Sequence, residues 1–171
     1  MAITTIDYGS YTAMTVTNLQ SLASDASDPF GGWQSARVSN LSAKAIDYNV
    51  IVDLSTAATA AANDKAAYVS LVPWMSTDGG TTWIAGGNFG TTTLPAGSEG
   101  TCSITEPNSM LSAGIMPYKD TSQRMQIAFA IGSVFGGVVP DGWSLVIRNA
   151  SGAALGTGCV VAYKAIKYES A

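Results

Sequence analysis

The stretch Lys65–Trp83, KAAYVSLVPWMSTDGGTTW, reads as a β-strand running into a hairpin turn. Ala67, Val69, Leu71, Pro73 and Met75 recur at period two, the spacing that puts side chains on one face of a strand. Tyr68, Val72 and Trp74 occupy the other face, so both sides are expected to be covered. Pro73 has no N–H to give to a ladder, which predicts an edge position or a bulge there. Asp78-Gly79 then ends the strand, because glycine tolerates the positive φ that tight hairpin turns need.

The same pattern extends in both directions. Ile46, Tyr48, Val50, Val52 and Leu54 alternate through AIDYNVIVDL (Ala45–Leu54). Further strands are expected at TTWIAGG (Thr81–Gly87), GTCSITE (Gly100–Glu106), RMQIAFAIG (Arg124–Gly132), GWSLVIRN (Gly142–Asn149) and GCVVAYKAIKY (Gly158–Tyr168). The separators TDGG, LPAGSEG, EPNS, PDG and NASG are turn chemistry. Strands recurring about every 8–12 residues between such turns indicate an antiparallel sandwich or barrel. TNLQSLASDAS (Thr17–Ser27) is the one helical candidate, with Thr17 or Asn18 as cap and Leu19, Leu22, Ala23 and Ala26 on one face. Residues 1–16 alternate weakly and read as an N-terminal arm or edge strand. Residues 17–171 form one β-sandwich domain, with no repeat and no linker dividing it. The fold class is all-β, a single-domain antiparallel sandwich with at most one short helix.

Composition narrows the function. Charged residues make up 12% of the 171, against roughly 25% in an average soluble domain. Thr, Ser, Asn, Gly and Ala take their place, which suits either a surface covered by other protein or a plain hydroxyl-rich β domain. Eight Lys and Arg are scattered and the net charge is −4, so no nucleic-acid partner is expected. The apolar run Ile127–Pro140 is broken by Gly132, Ser133, Gly136 and Gly137, so no membrane span is expected. Met-Ala-Ile-Thr-Thr-Ile-Asp carries no basic stretch leading into an apolar one, and synthesis in the cytoplasm is the expectation. Cys102 and Cys159 read as buried free thiols in a reducing compartment, with a single bridge as the alternative. There is no histidine at all, which removes Ser-His-Asp and Cys-His chemistry, imidazole metal sites and the usual general base near neutral pH.

Ser76, Asp78, Gly80, Thr82 and Trp83 follow the spacing S-x-D-x-G-x-T-W, which resembles the Asp-box of sialidases. In that family the box is a hairpin element away from the catalytic centre, so the match implies a turn and brings no chemistry with it. A sialidase also needs three arginines on the substrate carboxylate and a Tyr nucleophile with a Glu partner. Arg37, Arg124 and Arg148 are present, but no Tyr-Glu neighbourhood is visible. The acids sit mainly beside turn residues, where they serve local backbone hydrogen bonds. A glycosidase of another kind would need two of them facing each other. Asn63-Asp64 and Asp78 are candidate calcium ligands together with backbone oxygens, but no oxygen-rich loop of EF-hand type surrounds them. No catalytic residue, cofactor or metal is therefore assigned. Trp33, Trp74, Trp83 and Trp143 read as core or interface anchors. Tyr68 and Trp74, on one face, are the best candidates for a sugar-stacking surface.

Two further stretches carry a second resemblance: GGWQSARVSN (Gly31–Asn40) and FGGVVPDGWSLVIRNASGAAL (Phe135–Leu155). Trp33-Gln34-Ser35, Phe135-Gly136-Gly137 with Pro140 and Trp143, and Asn149 with Ser151-Gly152 resemble small virion proteins of tailed bacteriophages. NDKAAYVSLVPWMSTDGGTTW fits the same pattern of a strand entering a hairpin. The likeness begins near residue 17. It implies a jelly-roll that decorates or cements the capsid exterior, or forms a head spike. Its partners would be the major capsid protein and copies of itself, with a trimer favoured. A glycan- or receptor-binding module of a head or tail fibre is the alternative, and a tail or neck component a third.

Overall fold

The computed structural model describes residues 4–24, 32–58, 65–85, 98–102, 110–118 and 124–170. In chain order its strands are β1 (Thr4–Tyr8), β2 (Thr12–Ala13), β3 (Gly32–Gln34), β4 (Val38–Ser39), β5 (Asp47–Ser55) and β6 (Ala66–Met75). They continue as β7 (Ile84–Ala85), β8 (Gly100–Cys102), β9 (Leu111–Pro117), β10 (Arg124–Ala130), β11 (Gly142–Ala150) and β12 (Val160–Ser170). A single helical turn, α1 (Ile131–Val134), follows β10. Every named strand pairing is antiparallel.

Two sheets result. One runs β1-β12-β5-β10, with β2 also on β12. The other carries β9-β6-β11-β3 at its centre, extended by β7 on β6, β8 on β3 and β4 on β11. Numbering only the strands of these two four-stranded paths from one to eight, the orders become 1-8-3-6 and 5-4-7-2. That is the strand order of a jelly-roll, two interlocked Greek keys folded into a sandwich. The domain is an antiparallel β-sandwich, and the jelly-roll expectation agrees with its topology.

Alternation builds the core. In β5, Tyr48, Val50, Val52 and Leu54 are buried while their neighbours are half-exposed. Across the sandwich, Ala67, Val69 and Leu71 of β6 and Trp143, Leu145 and Ile147 of β11 meet them in one cluster. The outer face of the second sheet is covered too: Val72, Trp74, Cys102 and Val146 make a smaller cluster of their own. Hence β6 and β11 carry buried apolar side chains on both faces.

Several expectations need correction. Residues 17–21 form turns, not a helix; of the remaining helical candidate, residues 25–27 lie outside the described residues. Ser21 has φ 74°, and its N–H donates to Leu155 O at 3.1 Å while Leu155 N–H donates to Leu22 O at 2.9 Å. A helix this short has little stability of its own, so these two bonds to a distant loop decide the path. The helical turn occurs instead at α1, where the strand predicted to reach Gly132 is diverted. Gly132 N–H donates to Asp47 Oδ1 at 2.7 Å, and Phe135 N–H closes the turn on Ile131 O. Pro73 is in a central strand, opposite Trp143 of β11. It is tolerated because β9 stops at Leu71 and β7 starts at Trp74, leaving Pro73 without a described partner on that side. The bulge lies nearby, between Val69 and Ser70. β9 itself was not expected from the sequence. Of the strand expected at Thr81–Gly87, Ile84–Ala85 is strand and Thr81–Trp83 belongs to the turn, while residues 86–87 lie outside the described residues; of that expected at Gly100–Glu106, Gly100–Cys102 is strand and residues 103–106 lie outside them.

Candidate functional site

The hairpin at Ser76–Trp83 is organised around Asp78. Its Oδ1 accepts from Thr82 N–H at 2.7 Å, Thr81 N–H at 3.0 Å and the Ser76 hydroxyl at 3.1 Å. The Ser76 oxygen in turn accepts from Gly80 N–H at 2.8 Å. Gly79 and Gly80 have φ of 72° and 107°, values glycine adopts without strain. Trp83 folds back and donates its indole N–H to Gly80 O at 2.8 Å. Bonds from the Thr82 amide, and then the Thr82 hydroxyl, hold the Asp78 carboxyl down at about 2. All five box residues thus shape the turn, and Asp78 spends its charge on backbone amides within it.

The turn is fixed to the sandwich from outside. Asp141 Oδ2 accepts Ser76 N–H at 3.0 Å, and the Arg37 guanidinium lies between Trp83 and Trp74, 4.1 and 5.4 Å from their ring centroids. Trp74 is buried, 5% exposed, and donates its indole N–H to Ser144 Oγ at 2.9 Å. The paired sugar-stacking surface is therefore corrected: Tyr68 and Trp74 share a strand face, but Trp74 is packed inside the smaller cluster. Tyr68 is half-buried, with the Arg148 guanidinium 5.0 Å from its ring.

The three arginines do not converge. Arg37 packs on the two tryptophans, Arg124 pairs with Asp53 across β10 and β5, and Arg148 covers Tyr68. Tyr48, the most buried tyrosine of the main cluster, donates its hydroxyl to Asn40 Oδ1 at 2.8 Å. Burial, reinforced by neighbouring Tyr163, pushes it up to about 12, which suits a packing group rather than a nucleophile. Among the described residues no three of His, Cys, Asp and Glu come together as a metal site. The candidate ligands Asn63 and Asp64 lie outside the described residues. Cys102 and Cys159 are both buried, in different clusters, and burial raises the Cys159 thiol.

Trp33 is fully buried in β3 and donates its indole N–H to Glu99 Oε2 at 3.0 Å, while Glu99 Oε1 accepts from the Asn18 amide and side chain. Trp143 is fully buried, in edge-to-face contact with Tyr48 and Tyr163 at 5.4 and 5.5 Å. The words of the virion resemblance are mostly scaffold as well. Gln34 Nε2 donates to Ser144 Oγ, and Ser35 and Leu145 exchange hydrogen bonds. Asn149 donates to Leu22 O and Ala153 O and accepts from Ser151. Sequence reading missed the long-range partners Asp141, Glu99 and Arg37. Nothing local signals them, since each acts on a residue distant in the chain.

Among the described residues, shallow grooves of about 300 and 420 Å³ open on the surface, and neither of these is lined by a carboxylate, Lys or Arg. The surface also carries a group of tyrosines. Tyr8, Tyr11 and Tyr168 are 60, 47 and 63% exposed, and the Lys164 ammonium lies 5.5 and 5.1 Å from the rings of Tyr8 and Tyr11. What these features define is a jelly-roll sandwich with heavily braced turns. No family model matches the chain, and no curated protein shows significant sequence similarity to it.

Proposed function

We propose that this chain is a non-enzymatic structural protein of a tailed-phage virion, decorating or cementing the capsid exterior through protein–protein contacts. The observation that carries the reading is the pairing of a jelly-roll strand order with a surface of low charge, 12% over the whole chain. Jelly-rolls recur in viral capsid and lectin domains, and the fold alone does not choose between them. The residues of the virion resemblance support the choice, because Trp33, Gln34, Ser35, Trp143, Asn149 and Ser151 are all buried and hold β3, β11 and the following turn together. Its partners would be the major capsid protein and further copies of the chain.

The glycan-binding alternative loses support from the burial of Trp74. Virions purified from the phage that encodes this chain decide the matter by mass spectrometry and immunogold labelling. Label over the head supports decoration, label on the tail or neck moves the protein there, and a virion free of the chain overturns the proposal.

A further inference from the structure

We infer that β1 is the docking edge for a second copy of this chain, which pairs with it antiparallel across a twofold axis at Ile6. β1 ends its sheet, and among the described residues nothing pairs with its outer side. Gly9 N–H donates to Ala165 O at 3.1 Å. In an antiparallel ladder the residues that face the partner alternate. Thr5 and Asp7 therefore bond to β12, while the N–H and C=O groups of Ile6 and Tyr8 point off the edge.

Exposed edges are normally blunted by lysine, proline, bulges or brevity. The segment Thr-Thr-Ile-Asp-Tyr has no lysine, proline or bulge, and its residues other than Asp7 are β-branched or aromatic. Ile6, 50% exposed, stands opposite Tyr168 of β12, and Tyr8 lies two residues along the same face. A row of outward backbone groups thus adjoins an exposed apolar and tyrosine-rich surface, the composition found at the centre of protein interfaces.

In a pairing of two copies, charge selects the register. Asp7 is the only charged residue of β1. Pairing two copies about Asp7 would set the two carboxylates face to face, which is unfavourable. Pairing about Ile6 sets Asp7 against Thr5 of the second copy, Ile6 against Ile6, and joins the outward groups of Ile6 to their equivalents. The two tyrosine surfaces then become one. Such a contact is isologous and closes on itself, so the β1 edges of both copies are used up. The unit it makes is a dimer, where the virion resemblance favours a trimer.

This inference deepens the assembly reading and rests on it only for the presence of a second copy. Light scattering on a sizing column, over a concentration series, provides the test. The expected mass is twice 17.5 kDa. Ile6→Pro should return it to that of one chain with unchanged circular dichroism and melting, since the lost N–H points away from β12. Ile6→Cys should give a disulfide-linked dimer on mild oxidation, the Cα separation of about 5.5 Å in such a pair suiting a disulfide. This second variant keeps the test open should Ile6→Pro not fold. A monomer at every concentration, a trimer, or a dimer that survives Ile6→Pro overturns the inference. The virion reading fails separately, when virions lack the chain, whatever its mass in solution.

Discussion

The Arg37 guanidinium carbon lies 4.1 Å from the centroid of the Trp83 ring, although Trp83 closes a turn that begins dozens of residues later in the chain. This contact, with Trp74 behind it, ties the Ser76–Trp83 hairpin to the loop that follows β3. The hairpin's internal bonds fix its shape, and Arg37 fixes where it stands.

Arg37→Ala should therefore destabilise the domain without altering its fold. A cation over a tryptophan contributes about 0.5–1 kcal/mol when exposed and about 2 when desolvated. Arg37 is half-buried, so about 1–2 kcal/mol is expected, read as a fall of roughly 2–4 °C in Tm per kcal/mol at this chain length. Arg37→Lys should recover only part of it, because an ammonium cannot stack as a planar guanidinium does. Equal stability of wild type and Arg37→Ala by thermal unfolding would show that the Arg37 contact adds nothing to the tie that Asp141 makes to Ser76.

Asp78 makes a pH prediction. Its carboxyl is lowered from 3.8 to about 2, chiefly by the Thr82 amide. A carboxyl with a depressed folded-state value adds stability that is present above its unfolded value and lost as pH falls through the folded one. The turn's contribution should therefore fade between 3.8 and about 2. A carbon-13 titration of the carboxyl should show its midpoint near the lower figure. Asp78→Asn should flatten that part of the stability profile. A midpoint at the ordinary aspartate value would mean that the turn bonds do not persist in solution.

What could be read from the sequence was whatever local periodicity encodes. Tyr48, Val50, Val52 and Leu54 announce a half-buried strand because the alternation and the burial share one period. Asp78-Gly79 announces its turn because the backbone there requires glycine. The order of strands within the sheets is a long-range property, and only the resemblance suggested it. Leu19 and Leu22 looked helical because their spacing permits a helix, yet two hydrogen bonds with Leu155 and the burial of Leu19 override that weak propensity. Trp74 looked like a platform because alternation separates the faces of a strand without saying what covers each one. Val146 and Cys102, from strands far along the chain, cover it.

Two glycines should respond very differently to alanine. A Cβ on Gly32 would lie 2.2 Å from Ile147 O and 3.0 Å from Arg148 Cα, backbone atoms that cannot yield without parting β3 from β11. A Cβ on Gly114 would meet Ile127 Cδ1 at 2.3 Å, the end of a side chain that can turn away. Overpacking costs about 1–3 kcal/mol and more when backbone must move. Gly32→Ala is expected at or beyond the top of that range and Gly114→Ala nearer the bottom, by chemical denaturation. The reverse order would mean that β3 shifts on β11 more freely than the sheet register implies.

Trp143 offers a sharper comparison. Its ring is fully buried between Tyr48 and Tyr163, and its indole N–H has no hydrogen-bond partner among the described residues. Trp143→Ala should cost about 3–5 kcal/mol, as large-to-small changes at fully buried aromatics do. Trp143→Phe keeps much of the ring packing and removes a buried, unpaired donor, whose burial costs about 1–3 kcal/mol. That gain offsets part of the lost volume, so the phenylalanine variant should be much closer to wild type than the alanine variant. If Trp143→Phe loses as much as Trp143→Ala, the indole N–H must be bonded in solution, and a water held in the core is the partner to look for.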